Sequence, residues 1–508
     1  MGKGIQVIQR AIIFLSAIVN RIISLLSFDT ALHRSRFARI DELSVLFCPN
    51  PNERGLLLGV HQSQHLVVVQ PNKNRREIGN LLIVGPTRSG KGHLATSQLL
   101  SWKHSVVVND IKGELYQTTA GYRSKLGNVY VIDPTGVGHS YDPMQEKITE
   151  DELLSASSQL LFQEDEGDGR IFTQRATVML SQLMSAAKLE AVPVLPYVRS
   201  LVRSGLSACA KRLHAVSPEL ATQFLDVNYQ DANFTDRFLV SAWGTLTARM
   251  RPLLTESVVR GFTHSDFTPQ QIIQGNVPVT VYLRWKEQDL QSLTPLVRLL
   301  WGSLINELIT TYDICQGNNC QPVLLLIDEA GRTAIPMLAD QATTVVGRGI
   351  SMWIAIQSLS QLEVAYGKAR AQVLKDNMES QIYYRPTDLA TAQYLEERLG
   401  SRSAYAYSTT ERKGLETSEG HSERPIPLLT AQDILQLKDE EIIGFHRRLP
   451  PFKITRADWR RHPVLAKRQS LPTPTLPTLP QIAGMPMEIG QTYSFPGGYI
   501  DPDMIEAS

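Results

Sequence analysis

Two glycines five positions apart, the second followed by lysine, are the residues of this chain best fitted to do chemistry: Gly85-x-x-x-x-Gly90-Lys91. Glycine lets backbone N–H groups turn inward toward phosphate oxygens, and a lysine ammonium at this spacing reaches the β- and γ-phosphates. A helix that begins near Gly90 adds the positive end of its dipole. The candidate phosphate-binding residues are Gly85, Pro86, Thr87, Arg88, Ser89, Gly90, Lys91, Gly92 and His93. Such loops usually continue with serine or threonine, whose hydroxyl ligates Mg²⁺, but this sequence has Gly92. The motif implies a nucleotide site whose metal draws its side-chain ligand from elsewhere.

That ligand is expected at Asp328. The run Val323-Leu-Leu-Leu-Ile327 reads as a buried strand that delivers Asp328 and Glu329 to its carboxyl end. Asp328 would hold Mg²⁺, directly or through water, and Glu329 would polarise an attacking water. Further along, Gln357 ends the strand Met352–Ile356, where a polar residue can sense a γ-phosphate. Arg348, between two glycines just before that strand, is the candidate to complete a neighbouring subunit's site, as arginines do in phosphoryl transfer. A surface ion pair or a DNA contact is the other reading of Arg348.

Stepping out to the elements that must position these residues, short apolar runs alternate with helical patterns. Leu56–Gly59, Leu66–Val69, Leu81–Val84, Ser105–Val108, Val129–Ile132, 277–283, Val323–Ile327, Met352–Ile356 and Gln381–Arg385 read as strands. Several end in polar residues, notably Asn109-Asp110-Ile-Lys-Gly-Glu114 and Asp133. The fold class is therefore α/β, with a mostly parallel sheet and ligands along one rim. Residues 148–264 change to helical periodicity, with apolar positions at 172, 176, 179, 180, 183, 184 and 187, and read as an inserted all-α domain. Ser217-Pro218-Glu219 starts one of its helices. Pro295 is placed at the start of a helix over Leu296–Ile309. The expected organisation is 1–47, an amphipathic membrane-associating segment; 48–147 and 265–466, two parts of a nucleotide-binding domain; and 467–508, a Pro-rich disordered tail.

Composition is that of an ordinary globular chain, with 43% hydrophobic and 20% charged residues and a net charge of +1. Such a balance gives no global case for nucleic acid, so DNA contacts must come from local patches. One such candidate is the arginine- and lysine-rich stretch 447–468, with Phe452 and Trp459 interleaved; a solvated domain edge is the alternative. Residues 5–28 place Arg10, Asn20 and Arg21 in one polar sector of a helical wheel, with Arg34, Arg36 and Arg39 following. That pattern suits the surface of an anionic bilayer rather than a span, the alternative being packing on the protein itself or on a partner's membrane helices. No C-x-x-C pair occurs, and Cys315 and Cys320 read as reduced thiols. Ser401–Glu423 reads as a mobile loop, and LPTPTLPTLP from Leu471 as an unpacked extended tail.

Taken together, Gly85–Gly92, Asp110-Ile-Lys-Gly-Glu114, the helical insertion, Ile327-Asp328-Glu329, Gln357-Ser-Leu-Ser-Gln361 and Arg424–Ile434 resemble the TraG/TraD-type coupling ATPases of conjugation and type IV secretion. A loop ending Gly-Lys-Gly is common in that family. The resemblance implies a RecA-like P-loop NTPase that forms a homo-hexamer and hydrolyses ATP with Mg²⁺. It further implies passage of relaxase-bound single-stranded DNA, or a secreted protein substrate, to type IV secretion channel subunits. It places the chain at the cytoplasmic face of a bacterial inner membrane. Relatives usually open with two membrane helices and carry proline where Ile111 stands. Two other readings share the same residues: a soluble hexameric DNA translocase of the FtsK/HerA kind, and a nucleotide-gated recruitment platform with little turnover.

Overall fold

The computed structural model describes residues 33–479 except 49–54, 62–64, 72–76, 135–136, 148, 163–167, 334, 336 and 411–417. The amphipathic segment 5–28 lies outside the described residues. Among those described, no helix is long and apolar enough to cross a membrane.

The strands, in chain order, are β1 (Phe47–Cys48), β2 (Leu56–Val60), β3 (Leu66–Val69), β4 (Leu81–Val84), β5 (Ser105–Asp110), β6 (Asn128–Asp133), β7 (Val137–Gly138) and β8 (Val279–Arg284). They continue with β9 (Val323–Ile327), β10 (Ile350–Ile356), β11 (Ser380–Tyr384), β12 (Ser401–Thr410), β13 (Ser418–Pro427), β14 (Glu441–His446) and β15 (Phe452–Thr455). Thirteen form one sheet in the order β1-β3-β2-β15-β14-β11-β4-β10-β9-β5-β8-β6-β7. From β11 to β6 every neighbouring pair is parallel. The two flanks are antiparallel. The central strands are apolar throughout because both faces are covered, as parallel sheets require. Alternation then assigns each side chain to a layer. Leu82, Val84, Leu325, Ile327, Ile354 and Ile356 join one core. Leu81, Ile83, Leu324, Leu326, Trp353 and Ala355 join the other.

The helices between Glu150 and Arg260 stand between β7 and β8. Their buried residues, among them Met179, Leu183, Leu213, Phe224 and Leu246, are continuous with the first core layer. Ser217 precedes Pro218 at the first position of the helix Pro218–Leu225.

Three expectations are corrected. Pro295 lies inside the helix Leu290–Cys315, not at its start. It falls in the second turn, where an extension on the amino side is possible because few backbone bonds are forfeited. Residues Ser401–Glu423 are not a free loop: β12 and β13 pair antiparallel from Ser401↔Pro427 to Thr410↔Ser418. Serine, threonine and tyrosine read as polar punctuation singly but pair well across strands.

The tail expected from residue 467 is ordered and packed as far as Leu479. The helix Pro463–Gln469 comes first, and the Pro/Thr run then docks along the helix Glu114–Leu126 and β7. Tyr116 donates to the Pro474 carbonyl at 2.5 Å, and Thr473 to the Gln117 carbonyl at 2.8 Å. Gly138 N–H donates to the Pro477 carbonyl at 2.7 Å, and Leu479 is buried. Proline offers carbonyls without N–H groups, so such a run docks without stranding donors.

Candidate functional site

β4 ends at Val84, and the loop that follows turns into the helix Lys91–Ser101. Gly90 caps that helix with φ +108°, a conformation suited to glycine. Gly85 is fixed by crowding, since a Cβ there would lie 2.8 Å from both Ser89 Oγ and Tyr384 Cβ. Arg88 also adopts a positive φ, +67°. Thr87, Arg88 and Gly92 are exposed, whereas Pro86, Ser89, Gly90 and His93 are half-buried.

Lys91 is buried, and its ammonium donates to the Gly85 and Pro86 carbonyls at 2.5 and 2.9 Å. Burial lowers its pKa, against the raising fields of Asp328 and Glu329. Among the described residues no carboxylate lies within ion-pair distance of it. A partly desolvated cation held by carbonyl oxygens is what a phosphate would complete. A Cβ on Gly92 would meet nothing within 4 Å. His93 touches Arg460, with Nε2 3.2 Å from Nη2, and its pKa is lowered by burial and by Arg460.

Asp328 and Glu329 follow β9, two strands from β4 on the same rim. Burial and the charge of Glu329 push the Asp328 carboxyl up to about 6, while Lys91 opposes them. Asn109, at the end of β5, donates from Nδ2 to the Asp328 carbonyl at 2.8 Å. Glu329 has φ +56°, an uncommon backbone for a residue with a side chain, of the kind that clusters at functional sites. Its Oε2 accepts from Gln357 Nε2 at 3.1 Å and pairs with Arg332 Nε at 3.2 Å. Arg332 also binds Glu287. Gln357 is steadied in turn, because its N–H donates to Gln361 Oε1 at 2.9 Å.

The Asp110–Glu114 stretch is a capped turn. The Asp110 carboxylate accepts N–H bonds from Leu115 and Tyr116 at 3.3 and 2.7 Å, and burial pushes it up to about 6. Asp133 is paired with Arg284 at 2.6 Å. Lys91, Asp328, Glu329 and Gln357 are thus brought to one rim. Sequence reasoning placed Asn109 only as a polar strand end and missed Arg332. Arg332 was legible, three positions after Glu329.

Arg348 does not join them. It precedes β10 while Gln357 follows it, so the two stand at opposite ends of a seven-residue strand, about 23 Å apart at strand rise. Its guanidinium forms a two-point pair with Asp313, Nε to Oδ1 at 2.8 Å and Nη2 to Oδ2 at 2.7 Å. Of the two readings of Arg348, the surface ion pair is the one that forms, with an acid 35 residues away on the long helix. Three cations of the basic stretch 447–468 are likewise neutralised, Arg447 on Glu379, Arg460 on Asp458 and Arg461 on Glu440.

The rim therefore holds a loop able to bind a polyphosphate, a carboxylate poised to carry a cation, and a second carboxylate oriented by an amide and a guanidinium.

The chain and its fold are similar to those of known proteins. The chain is 25% identical over 421 residues to Protein VirD4 of Rhizobium radiobacter, covering 77% of this chain and 59% of that one. It is 26% identical over 401 residues to the conjugal transfer protein TraG of Escherichia coli, covering 70% and 62% respectively. It thus spans about three-fifths of the length of these curated relatives. The fold resembles that of the bacterial conjugative coupling protein TrwBdeltaN70 in its unbound monoclinic form. The TM-score is 0.63 at 16% identity, over 85% of this chain and 95% of that one. TrwB in complex with ADP and Mg²⁺ gives a TM-score of 0.61 at 16% identity, over 85% of this chain and 96% of that one. The model of the family described as type IV secretory system conjugative DNA transfer matches residues 68–480, and the chain belongs to that family.

Proposed function

We propose that this protein is an ATP-hydrolysing coupling protein that hands DNA to a type IV secretion channel. The observation that carries the reading is the convergence on one rim of Lys91, Asp328 and a Glu329 carboxylate already held by Gln357 at 3.1 Å. Relatives bearing the names VirD4 and TraG, and a TrwB fold solved with ADP and Mg²⁺, support it.

The residues present fit a magnesium nucleotide. Asp328 is a carboxylate whose charged form is disfavoured by its surroundings, which a cation would relieve. Open space at Gly92 leaves room for water in place of the missing hydroxyl. Among the described residues no cluster of three or more acidic, histidine or cysteine side chains forms a cage. Mg²⁺ on phosphates needs none, since one carboxylate, phosphate oxygens and water suffice. The bound ion supplies neutralisation of charge on the β- and γ-phosphate oxygens.

The chain's own groups then do the following. Loop N–H groups and Lys91 hold the β- and γ-phosphates against β4. Glu329 accepts a hydrogen bond from water and turns its lone pair toward the γ-phosphorus. Gln357 and Arg332 keep that carboxylate in register. Water's oxygen bonds to the γ-phosphorus as the bond to the bridging oxygen breaks, its proton passes to Glu329 and from there to solvent, and ADP and phosphate leave.

In this reading the protein works as a homo-hexamer on single-stranded DNA carried by a relaxase, or on a secreted protein substrate, beside channel subunits. Residues 5–28 hold it to the cytoplasmic face of a bacterial inner membrane. Lys91→Ala should abolish ATP turnover by removing the cation closest to the γ-phosphate. Glu329→Gln should bind ATP yet slow hydrolysis by roughly 100-fold or more. Parental turnover in Lys91→Ala would sink the proposal.

A further inference from the structure

The wall of the phosphate loop that faces away from Asp328 is built by the segment after β15, and it presents a cation that forms no ion pair among the described residues. Arg456 lies against the turn Ser89-Gly90: its Cδ is 3.1 Å from where a Gly90 Cβ would sit. Its Nη1 donates weakly to the Ser89 carbonyl at 3.4 Å. Its backbone N–H donates to the Glu440 carbonyl at 2.9 Å, and the next residue, Ala457, is buried, so the attachment is firm. Arg456 forms no ion pair among the described residues. Glu440, the acid of the adjoining turn, is taken by Arg461 at 2.7 Å, and Asp458 is taken by Arg460.

Three polar side-chain atoms around this part of the loop are buried without a hydrogen-bond partner: Arg456 Nε, Ser89 Oγ and Tyr384 Oη. Tyr384 is 1% exposed, and its Cβ packs where a Gly85 side chain would be. Polar groups of this kind are ordinarily satisfied in folded proteins, and an exception calls for a missing partner. Lys91, at the end of the loop, reaches the β- and γ-phosphates, whereas the loop's backbone N–H groups cradle the α- and β-phosphates. Arg456 stands against the Ser89-Gly90 part of the loop, on the side of β4 away from Asp328, where Arg460 also touches His93.

We propose that Arg456 is a nucleotide ligand supplied within the same subunit by the C-terminal segment, pairing with a non-bridging oxygen of the α-phosphate. The inference rests on the reading of Gly85–His93 as a nucleotide site. It makes that site a composite of residues 367 positions apart, so that occupancy bears directly on β15 before Arg456 and on the helix Pro463–Gln469 after it.

The test is calorimetric titration of the full chain, without divalent cation, using ADP and the two diastereomers of adenosine 5′-O-(1-thiodiphosphate). Sulfur then reports on protein contacts at the α-phosphate alone. The parent should prefer one diastereomer. Arg456→Ala should weaken ADP by roughly tenfold to a hundredfold, the range of a charge-assisted hydrogen bond, and erase that preference. Arg456→Lys should recover part of the affinity. Parental ADP affinity in Arg456→Ala would overturn the inference. An equal loss for all three ligands, leaving their ratios intact, would overturn it too, by reducing Arg456 to a prop of the loop. A parent that binds none of the three would overturn the nucleotide site itself, a different result.

Discussion

A hydroxyl introduced at position 92 would enter open space one residue after the lysine of the phosphate loop. Gly92→Ser should therefore fold like the parent and lower the Mg²⁺ concentration for half-maximal ATPase activity, whereas Asp328→Asn should raise it. An unchanged requirement in both variants would place the metal's ligand elsewhere. A second residue bears on pH. Burial pushes the Asp142 carboxyl up to about 6 from an ordinary 3.8, although Met144 N–H donates to it at 2.9 Å. The folded chain thus binds this proton more readily than the unfolded chain, so its contribution to stability falls as pH rises from about 4 to 6. Below that window there is no cost, and above it the cost is full, about 3 kcal/mol at most. Asp142→Asn should melt higher than the parent at pH 7.5 and lose the advantage at pH 4, as thermal melts at both values will show.

Among the elements, the docked strap after the helix Pro463–Gln469 gives a test in which two effects oppose each other. Gly121 lies in mid-helix, where alanine ordinarily adds about 1 kcal/mol of stability. Here a Cβ would lie 2.3 Å from the Leu471 carbonyl oxygen and 2.7 Å from that of Pro472. Gly121→Ala should therefore cost about 1–3 kcal/mol through overpacking and expose residues 471–479 to proteases. In a chain ending at Ser470 the same substitution should stabilise. A stabilising Gly121→Ala in the full chain would mean that the strap contributes nothing. The hairpin β12–β13 shows the complementary lesson. Its register of ten paired residues makes an element from a composition that reads as loop.

For the whole molecule, the proposed attachment to a membrane would rest on residues 5–28 and the arginines that follow. Carbonate or high salt should release the protein from bilayers, and removal of residues 1–40 should leave a soluble ATPase. Release by detergent alone would mean insertion. The same scale explains the sheet. Central strands covered on both faces carry continuous apolar runs, so Leu81–Val84 and Val323–Ile327 were plain from sequence to the residue. Their lateral order was not, because β4 lies between β10 and β11 and pairs with nothing adjacent in the chain.

What the sequence by itself determined was local: glycine at the loop's tight positions, Lys91 at its end, apolar strands delivering Asp328, Glu329 and Gln357, and a parallel α/β class. Backbone conformation and burial pattern over a few residues suffice for those. The tertiary structure alone decided which groups meet. It set Gln357 on Glu329, seated Arg348 on Asp313 at the far rim, and folded Arg456 over a loop 367 residues earlier. Each of those outcomes depends on strand order, on which end of a strand a residue occupies, and on which acid is already taken. These are long-range facts of packing, and residue spacing along a chain carries no record of them.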